Sequence, residues 1–241
     1  VQTGSLFCCV PGVHDDGHRF AGEAIDAGAA ALLVERLLDV TTTQILVDDV
    51  RVAMGYFAAA LFRHPCDELT VVGVTGTNGK TTTTHLLASI FNEAGRPAGV
   101  IGTLGATRTT PEATELEQRL RALADTGKQS VMMEVSSHAL ALHRVNGCRF
   151  AAAVFTNLGH DHLDLHGTPE RYFAAKARLF EPGLSAVGVV NLDDVHGQLL
   201  ADAKPIPMVG FAASQLDDVT VDASSHAYTW KHRRISVPIG A

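Results

Sequence analysis

A glycine-rich loop between an apolar strand and an apolar helix constrains this chain more than any other feature. The loop runs Gly73-Val-Thr-Gly-Thr-Asn-Gly-Lys-Thr-Thr-Thr-Thr84. Residues 69–74 are β-branched and apolar, which predicts a buried strand, and residues 85–91 have the apolar spacing of a helix packed on a sheet. Glycines let backbone N–H groups turn towards an anion, and the helix N-terminus adds partial positive charge. In such a loop Lys80 reaches the β- and γ-phosphates of a nucleotide, and Thr81 places a hydroxyl on Mg²⁺.

The spacing of the glycines is irregular. They fall at positions 73, 76 and 79 instead of following the pattern G-x-x-x-x-G-K-[ST]. A glycine-rich turn before an ordinary helix would have the same composition. The combination Gly-Lys-Thr between a strand and a helix favours the phosphate-binding loop.

The composition of the 241 residues bounds the remaining possibilities. A hydrophobic content of 46% with alanine- and glycine-rich helical stretches is typical of an α/β protein of one or two domains. A net charge of −7 without a dense basic run argues against nucleic acid as a partner. No apolar run approaches about 18 residues and no signal peptide is visible, so membrane insertion is not expected. The four cysteines have no metal-ligand spacing, and we expect reduced thiols in a cytoplasmic protein.

The order of strands and helices predicts two α/β units. Residues 1–66 form a small N-terminal unit, with strands and helices predicted at 6–10, 19–29, 30–34, 43–47 and 50–62. The linker is predicted at 64–67, because Pro65 breaks the helix and a new strand starts at once. Residues 67–241 form a central unit in which strands alternate with helices, which implies a mostly parallel sheet flanked by helices. A short β-rich end is predicted from residue 207.

Several polar groups follow strands of the central unit, at the edge where parallel sheets bind ligands. Glu134 ends the apolar strand predicted at 130–135, so it is either a Mg²⁺ ligand opposite the glycine loop or an exposed carboxylate. A helix is predicted to begin at Thr109-Thr-Pro-Glu112, with proline in its first turn. Ser136-Ser-His138 lacks a G-x-S-x-G elbow, and we expect it to bind polar substrate or to cap local structure.

A dense group of imidazoles and carboxylates lies between residues 160 and 166, after the strand predicted at 151–156. Imidazole and carboxylate together suit a divalent metal or phosphate oxygens, and a solvated polar loop is the alternative. The run also approaches the H-x-H-x-D-H motif of binuclear zinc hydrolases. Its last histidine comes one residue late, however, and a hydrolase would leave the glycine loop unexplained. The group comprises His160, Asp161, His162, Asp164 and His166.

Lys176 lies on the apolar face of a helix predicted at 170–180. One interpretation is a surface lysine whose stem covers apolar surface while its amine stays in water. The other is a partly desolvated lysine that loses its proton and becomes reactive.

Five motifs occur in a fixed order along the chain. They are Thr75-Gly-Thr-Asn-Gly-Lys-Thr-Thr82, Thr109-Thr-Pro-Glu-Ala113, Met133-Glu-Val-Ser-Ser-His-Ala-Leu140, Phe155-Thr-Asn-Leu158 with Asp161-His-Leu-Asp164, and Tyr172-Phe-Ala-Ala-Lys-Ala-Arg-Leu-Phe180. Together they make the chain resemble the Mur ligase family of peptidoglycan synthesis. Within the family, the likeness is to the enzymes that add the third residue of the stem peptide. The segment from Gly4 to Glu35 is similar to the N-terminal, UDP-binding domain of those enzymes.

The resemblance implies an ATP-dependent amide ligase. ATP phosphorylates the terminal carboxylate of UDP-MurNAc-L-Ala-D-Glu, and the amine of a diamino acid attacks the resulting acyl phosphate. The likeness also implies two Mg²⁺ sites, with N-carboxylated Lys176 as a ligand of the second, and we expect a monomer.

The site residues that the resemblance implies fall into four groups. Lys80 and Lys176 are the catalytic residues. The ATP phosphates would be held by Gly76, Thr77, Asn78, Gly79, Lys80, Thr81 and Thr82. Metal ligands would be Thr81, Glu134, His162 and Lys176, and the muramoyl substrate would be bound by Val13, His14, Asp15, Thr109, Thr110, Ser136 and Arg144.

The chain also departs from the family pattern. An Asp-Ser-Arg stretch expected just before Val1 is missing, the segment 105–109 is short, and Gly159-His160 and Leu142 replace commoner residues. The C-terminal domain, which selects meso-diaminopimelate or L-lysine, is missing after Ala241. We therefore expect a fragment that would not ligate alone. A folylpolyglutamate synthetase, a metal-dependent hydrolase and a non-catalytic nucleotide-binding module are the alternatives.

Overall fold

A computed structural model describes residues 1–12, 15–104, 108–159, 161 and 163–238 of the chain. Within these residues the strands form three sheets, two of them parallel and one antiparallel. None of the helices in this part of the chain has the length and apolar character needed to cross a membrane. The arrangement confirms the predicted α/β fold with a short β-rich end.

The N-terminal unit is a parallel sheet in the order β1-β2-β3 with helices packed on it. Its strands are β1 Leu6–Cys8, β2 Ala31–Val34 and β3 Thr43–Leu46, and its helices are α1 Ala21–Asp26 and α2 Val50–Leu61. Asp49 begins α2 by accepting a 2.9 Å hydrogen bond from the N–H of Val52, as expected of an N-cap. The helix predicted at 19–29 is shorter than expected. A 3-10 turn at Gly17–Phe20 precedes α1, and Gly28 ends the segment in the left-handed region at φ 97°.

The predicted linker contains a helix of one turn, α3 Pro65–Glu68. His64 takes a left-handed conformation (φ 47°), and Pro65 then occupies the first helical turn, where its missing N–H costs nothing. The strand predicted at 69–74 follows almost at once and begins at Thr70.

The central unit is a parallel sheet in the order β5-β6-β4-β7-β8-β9. The first strand of this unit in the chain, β4, lies inside the sheet. The next two strands, β5 and β6, lie on one side of it, and the last three, β7 to β9, lie on the other side. Its strands are β4 Thr70–Thr75, β5 Ala98–Ile101, β6 Ser130–Glu134, β7 Ala152–Phe155, β8 Gly188–Asn191 and β9 Met208–Phe211. The carboxyl ends of β6, β4 and β7 thus form a switch point, the place where such sheets bind ligands.

Helices cover both faces of this sheet. They are α4 Lys80–Glu93, α5 Ala113–Asp125, α6 Ser137–Ala141, α7 Leu163–His166, α8 Pro169–Ala177 and α9 Val195–Ala203, with 3-10 turns at Arg178–Phe180 and Ala213–Gln215. Alternate strand residues face opposite cores. Met133 packs in the core that contains Leu116 and Leu120 of α5, whereas Met132 packs in the core that contains Ala88 of α4.

Helix α5 packs on both parallel sheets. Its first residue, Ala113, lies in the core of Leu33, Val50 and Met54 from the N-terminal unit. The helix begins four residues later than predicted, because Thr110 is held by bonds to the end of β6 and Glu112 has the extended conformation of an N-cap.

The antiparallel sheet contains β10 Asp217–Val221, β11 His226–Trp230 and β12 Arg233–Val237. The change from parallel to antiparallel pairing therefore comes after β9, later than the predicted position of residue 207. Both α9 and β9 were missed by the sequence analysis.

Candidate functional site

The glycine loop, residues 76–79, leaves the end of β4 and leads directly into α4. Gly79 is left-handed (φ 85°) and begins α4 without a side-chain cap among the described residues, so the first backbone N–H groups of the helix are available to an anion. Gly76 has φ 147°, and a Cβ atom there would collide with the hydroxyl of Thr156. Only glycine fits at this position of the loop.

Two residues at the end of β7 hold the loop in place. Asn157 accepts a 3.0 Å hydrogen bond from the N–H of Asn78 and donates one of 3.2 Å back to its carbonyl. Thr156 donates a 2.7 Å bond to the same carbonyl. Both residues belong to one of the five motifs, but the motif alone did not predict this role. Their only signal was that polar residues follow a buried strand.

A tyrosine on α8 supports the loop from the other side. The hydroxyl of Tyr172 lies 3.1 Å from the hydroxyl of Thr77, which also accepts a 2.8 Å bond from the N–H of Gly159. The Tyr172 side chain is buried. It therefore joins the loop to the helix that carries Lys176.

Lys80 folds back over its own loop. Its Nζ atom donates 2.9 Å hydrogen bonds to the carbonyls of Gly76 and Thr77. Burial lowers the pKa of Lys80, and the nearby carboxylates of Glu134 and Asp161 oppose that shift. The amine is thus positioned within the cradle that the loop forms.

Glu134, at the end of β6, is only 1% exposed. Its carboxylate accepts a 2.9 Å bond from the hydroxyl of Thr81 and a 2.8 Å bond from the N–H of Thr103. The interpretation of an exposed carboxylate was wrong, because Glu134 is buried among polar partners. A hydroxyl beside a buried carboxylate is an oxygen-donor set that suits Mg²⁺. A Cβ atom at Gly102 would collide with this carboxylate, so glycine makes room for it.

Lys176 is also 1% exposed, so the interpretation of a surface lysine was wrong. Its Nζ atom donates a 2.9 Å hydrogen bond to the carbonyl of Gly76 and lies 4.4 Å from the ring centroid of Tyr172. Burial, with a further contribution from the positive charge of Lys80, lowers the pKa of Lys176 to about 7. Lys176 can therefore be neutral near physiological pH.

A second polar group surrounds the end of β6. The hydroxyl of Thr110 donates 2.9 Å to the carbonyl of Glu134 and accepts a 3.0 Å bond from the N–H of Ser136. The guanidinium of Arg144 donates to the carbonyl of Thr110 at 3.3 Å and pairs with Glu112 at 2.7 Å. Ser136 also caps α6, because its hydroxyl accepts a 3.2 Å hydrogen bond from the N–H of Ala139. Local capping was one of the two roles expected for this segment.

The hydroxyl of Thr109 lies on the glycine-loop side of this group. It accepts a 3.1 Å bond from Thr103, and both residues line a cavity of about 340 Å³. The loop residues 77–82 and Glu134 line the same cavity. Thr103 lies in none of the five motifs, so its place in the site could not be predicted from the sequence.

The remaining predicted residues lie elsewhere or outside the described residues. Val13, His14, His160 and His162 are not among the described residues. Asp15 belongs to the N-terminal unit, where its carboxylate is 3.6 Å from Arg19. His166 is buried, with its ring centroid 5.2 Å from that of Tyr172.

Residues 74–239 match the family model described as "Mur ligase middle domain". The chain belongs to the Mur ligase family. This confirms the resemblance drawn from the five motifs, and the matched range contains the glycine loop, Glu134 and Lys176. The irregular glycine spacing therefore occurs in a chain of this family.

Two relatives refine this assignment to the Mur ligases. The UDP-N-acetylmuramoyl-L-alanyl-D-glutamate–2,6-diaminopimelate ligase of Geobacter metallireducens is 45% identical over 232 residues, which cover 89% of this chain and 45% of the relative. A solved structure of a ligase with the same name superimposes with a TM-score of 0.83 at 30% identity, covering 98% of this chain and 53% of that one. The chain spans about half the length of these relatives.

Folylpolyglutamate synthase, one of the alternatives, shares the fold alone. The Mycobacterium tuberculosis structure superimposes with a TM-score of 0.56 at 15% identity and covers 74% of this chain. The Mur ligase structure is the more similar by both measures.

Proposed function

We propose that this chain is the nucleotide- and muramoyl-binding part of a ligase that joins diaminopimelate to UDP-MurNAc-L-Ala-D-Glu at the expense of ATP. The observation that carries the proposal is the gathering of two buried lysines and the Thr81–Glu134 pair around one glycine loop. The relatives named above carry this activity in their names.

The glycine loop would bind the phosphates of ATP. Backbone N–H groups of Gly76, of Gly79 and of the first turn of α4, through Thr82, would face the anion, and Lys80 would add a full positive charge. The N–H groups of Thr77 and Asn78 donate to Asn157 and would join them only on release of those bonds. On binding, the amine of Lys80 would exchange its bonds to the loop carbonyls for bonds to phosphate oxygens. This exchange is favourable because the new acceptors are ionised.

Thr81 and Glu134 would hold the first Mg²⁺, and His162 together with N-carboxylated Lys176 would hold the second. Both ions, when bound, neutralise charge on the phosphoryl group in transfer. Lys176 fits this role because burial lowers the pKa of its amine to about 7. The neutral amine would react with carbon dioxide and release a proton to give an anionic carbamate, so that a hard oxygen ligand replaces the amine.

The polar group around Arg144 would bind the muramoyl dipeptide. Burial lowers the pKa of Arg144, which remains a cation and pairs with Glu112. Such a cation suits the carboxylates of the dipeptide, and the hydroxyls of Thr109, Thr110 and Ser136 supply neutral partners. Val13, His14 and Asp15 would contact the uridine nucleotide.

These residues would support a reaction in two steps. An oxygen of the D-Glu carboxylate attacks the γ-phosphorus while the bond to ADP breaks, and Lys80 stabilises the charge that develops. The amine of diaminopimelate then attacks the acyl carbon, phosphate leaves, and an amide forms. Mutual positioning of the three substrates supplies the remainder of the rate.

We further propose that the chain divides near residue 66 into a UDP-binding unit and an ATP-binding unit. The separate sheets β1–β3 and β4–β9 support this division. Consumption of nucleotide substrates supports a cytoplasmic location, and we expect a monomer.

The proposal is tested with the protein encoded by the complete gene. We expect ATP-dependent formation of UDP-MurNAc-tripeptide from the dipeptide and diaminopimelate, measured by chromatography, with L-lysine as the competing amino acid. Lys80→Ala should weaken ATP binding at least about 100-fold in calorimetry, because the phosphates lose their main cationic partner. The matched control is His85→Ala, an exposed residue of the same helix.

Two outcomes would contradict the proposal. ATP binding without formation of the UDP-MurNAc-tripeptide would indicate a non-catalytic nucleotide-binding module. Wild-type ATP affinity in Lys80→Ala would remove the assignment of the glycine loop itself.

A further inference from the structure

Two cysteines and one glutamate that are distant in the sequence meet where α3 packs against α5. The Sγ atoms of Cys66 and Cys148 and a carboxylate oxygen of Glu117 all lie within 4.8 Å of one another. Cys66 lies on α3, Glu117 lies on α5, and Cys148 lies in the segment before β7. We call these three residues the thiol–carboxylate cluster. The sequence shows no metal-ligand spacing, because each of the three residues lies in a different structural element.

The cluster is buried and its hydrogen bonding is incomplete. Glu117 is 1% exposed and Cys148 is 3% exposed, whereas Cys66 is half-buried. The Cys148 thiol donates a 3.4 Å hydrogen bond to Oε1 of Glu117. The other oxygen, Oε2, is buried and has no hydrogen-bond partner among the described residues. A buried carboxylate oxygen without a partner is costly unless a proton or a metal ion satisfies it.

Neighbouring residues fix the three ligand atoms in place. A Cβ atom at Gly147 would lie 2.7 Å from Oε1 of Glu117, so a glycine is needed where the chain passes this carboxylate. One turn further along α5, Arg121 forms a two-pronged ion pair with Glu68 of α3, at 2.7 and 2.9 Å. This pair anchors α3 to α5 and keeps Cys66 over Glu117. The ligand set is therefore formed by the fold itself.

We propose that the thiol–carboxylate cluster is a Zn²⁺ site with three protein ligands. Thiolates and carboxylates are zinc ligands, with Zn–S bonds of about 2.3 Å and Zn–O bonds of about 2.1 Å. Ligand atoms around a tetrahedral ion at these lengths are roughly 3.3 to 3.8 Å apart, which the 4.8 Å limit of the cluster accommodates. A water molecule that enters beside half-buried Cys66 would complete the four ligands. On binding, both thiols release their protons to solvent and Glu117 binds as the carboxylate.

Such an ion would tie three parts of the chain together. It would join α3, which directly precedes β4 and the glycine loop, to α5 and to the segment before β7. The site is distinct from the glycine loop and independent of the proposed ligase function, because none of its ligands is a phosphate- or substrate-binding candidate. It would stabilise the junction between the two parallel sheets.

Cobalt provides the most direct test. The chain is stripped with a chelator, treated with a reductant, and titrated with Co²⁺ in the presence of excess Mg²⁺. We expect one equivalent to produce the thiolate-to-cobalt charge-transfer absorption, which oxygen ligands at the glycine loop cannot produce. One equivalent of Zn²⁺ should then displace it and raise the thermal unfolding midpoint.

Two variants and two controls separate a metal site from ordinary packing. Cys66→Ser and Glu117→Gln should each weaken Zn²⁺ binding by more than about 100-fold, since loss of an outer-shell partner alone costs about 10- to 100-fold. Glu115→Gln, an exposed residue on the same helix, should bind as the wild type does. Circular dichroism confirms that each variant is folded. Cys8→Ser keeps the cluster intact and controls for the general loss of a thiol.

Three results would overturn the proposal. The first is the absence of charge-transfer absorption in the reduced wild-type chain. The second is equal Zn²⁺ affinity in Glu117→Gln and Glu115→Gln. The third is a Cys66–Cys148 disulfide in the protein purified without reductant, found as resistance to alkylation that a reductant reverses and a chelator does not.

Discussion

Lys176 donates a 2.9 Å hydrogen bond to the backbone carbonyl of Gly76, from a position 100 residues further along the chain. The same oxygen accepts a bond of equal length from Lys80. Two amines therefore share one acceptor, and their repulsion adds to burial in lowering the pKa of Lys176 to about 7. A lysine with this pKa is available as a nucleophile towards carbon dioxide.

In the protein encoded by the complete gene, replacement of Lys176 by alanine should abolish most of the proposed ligase activity while the protein stays folded. We expect a loss of about 100- to 1000-fold in kcat, the range for removal of one electrostatic group from an active site. Formate or acetate should restore part of the activity, because a small carboxylate can take the place of the carbamate. Arg171→Ala, on the exposed face of the same helix, is the control. Full activity of Lys176→Ala would show that the carbamate has no role.

The extent of carboxylation of Lys176 should depend on pH. Only the neutral amine reacts with carbon dioxide, and with a pKa of about 7 the neutral fraction rises from roughly a tenth at pH 6 to roughly nine-tenths at pH 8. NMR of protein equilibrated with ¹³C-bicarbonate measures the carbamate across this range. A carbamate signal that stays constant between these two pH values would contradict the shifted pKa.

Gly76→Ala should disrupt the glycine loop. The new Cβ atom would collide with the hydroxyl of Thr156, and the backbone angle of φ 147° is one that other residues rarely adopt. We expect a loss of roughly 2 to 3 kcal/mol in the free energy of unfolding, together with loss of ATP binding. Urea unfolding and calorimetry measure the two effects. Gly22→Ala, in α1 with open space around it, should be neutral or stabilising.

Glu117 should make the metal-free chain less stable as the pH rises. Burial raises its pKa from 4.5 to about 7, so its protonated form is favoured in the folded state. The resulting stabilisation is complete below pH 4.5 and is lost as the pH rises through 7. A shift of this size corresponds to about 3 kcal/mol.

Glu117→Gln isolates this effect, because the amide cannot ionise. With a chelator present, the variant should gain stability relative to the wild type between pH 5 and pH 8, by about 3 kcal/mol in urea unfolding. Glu115→Gln should show no such gain. A constant difference between Glu117→Gln and the wild type across this range would mean that Glu117 ionises normally.

Local pattern was sufficient to predict the class of fold and the glycine loop. The strand before the loop, the helix after it and the acid at the end of β6 are each marked by apolar spacing and by one polar interruption. The boundaries were less predictable, because contacts between distant residues set them. Thr110 bonds to the end of β6 and delays the start of α5, and Pro65 begins a helix where a break was expected.

The burial of charged groups was the property hardest to predict from the sequence. Lys176 and Glu134 are buried by contacts that no local pattern records. Lys176 is covered by the carbonyl of Gly76 and the ring of Tyr172, and Glu134 is covered by Thr81 and Thr103. The thiol–carboxylate cluster was even harder to predict from the sequence, because its three residues come from three different parts of the chain. Residues such as Thr103 and Asn157 contribute through backbone and side-chain bonds that no short motif records.

Helix α5 touches both parallel sheets, and the threonines of the candidate substrate site lie directly before it. Gly55 of α2 and Gly147 pass so closely beside this helix that a methyl group on Gly147 would strike both Gly55 and Glu117. The two parallel sheets therefore both pack against helix α5. A side chain at Gly147 would force these elements apart, so the distance between the two sheets depends on the absence of a single methyl group.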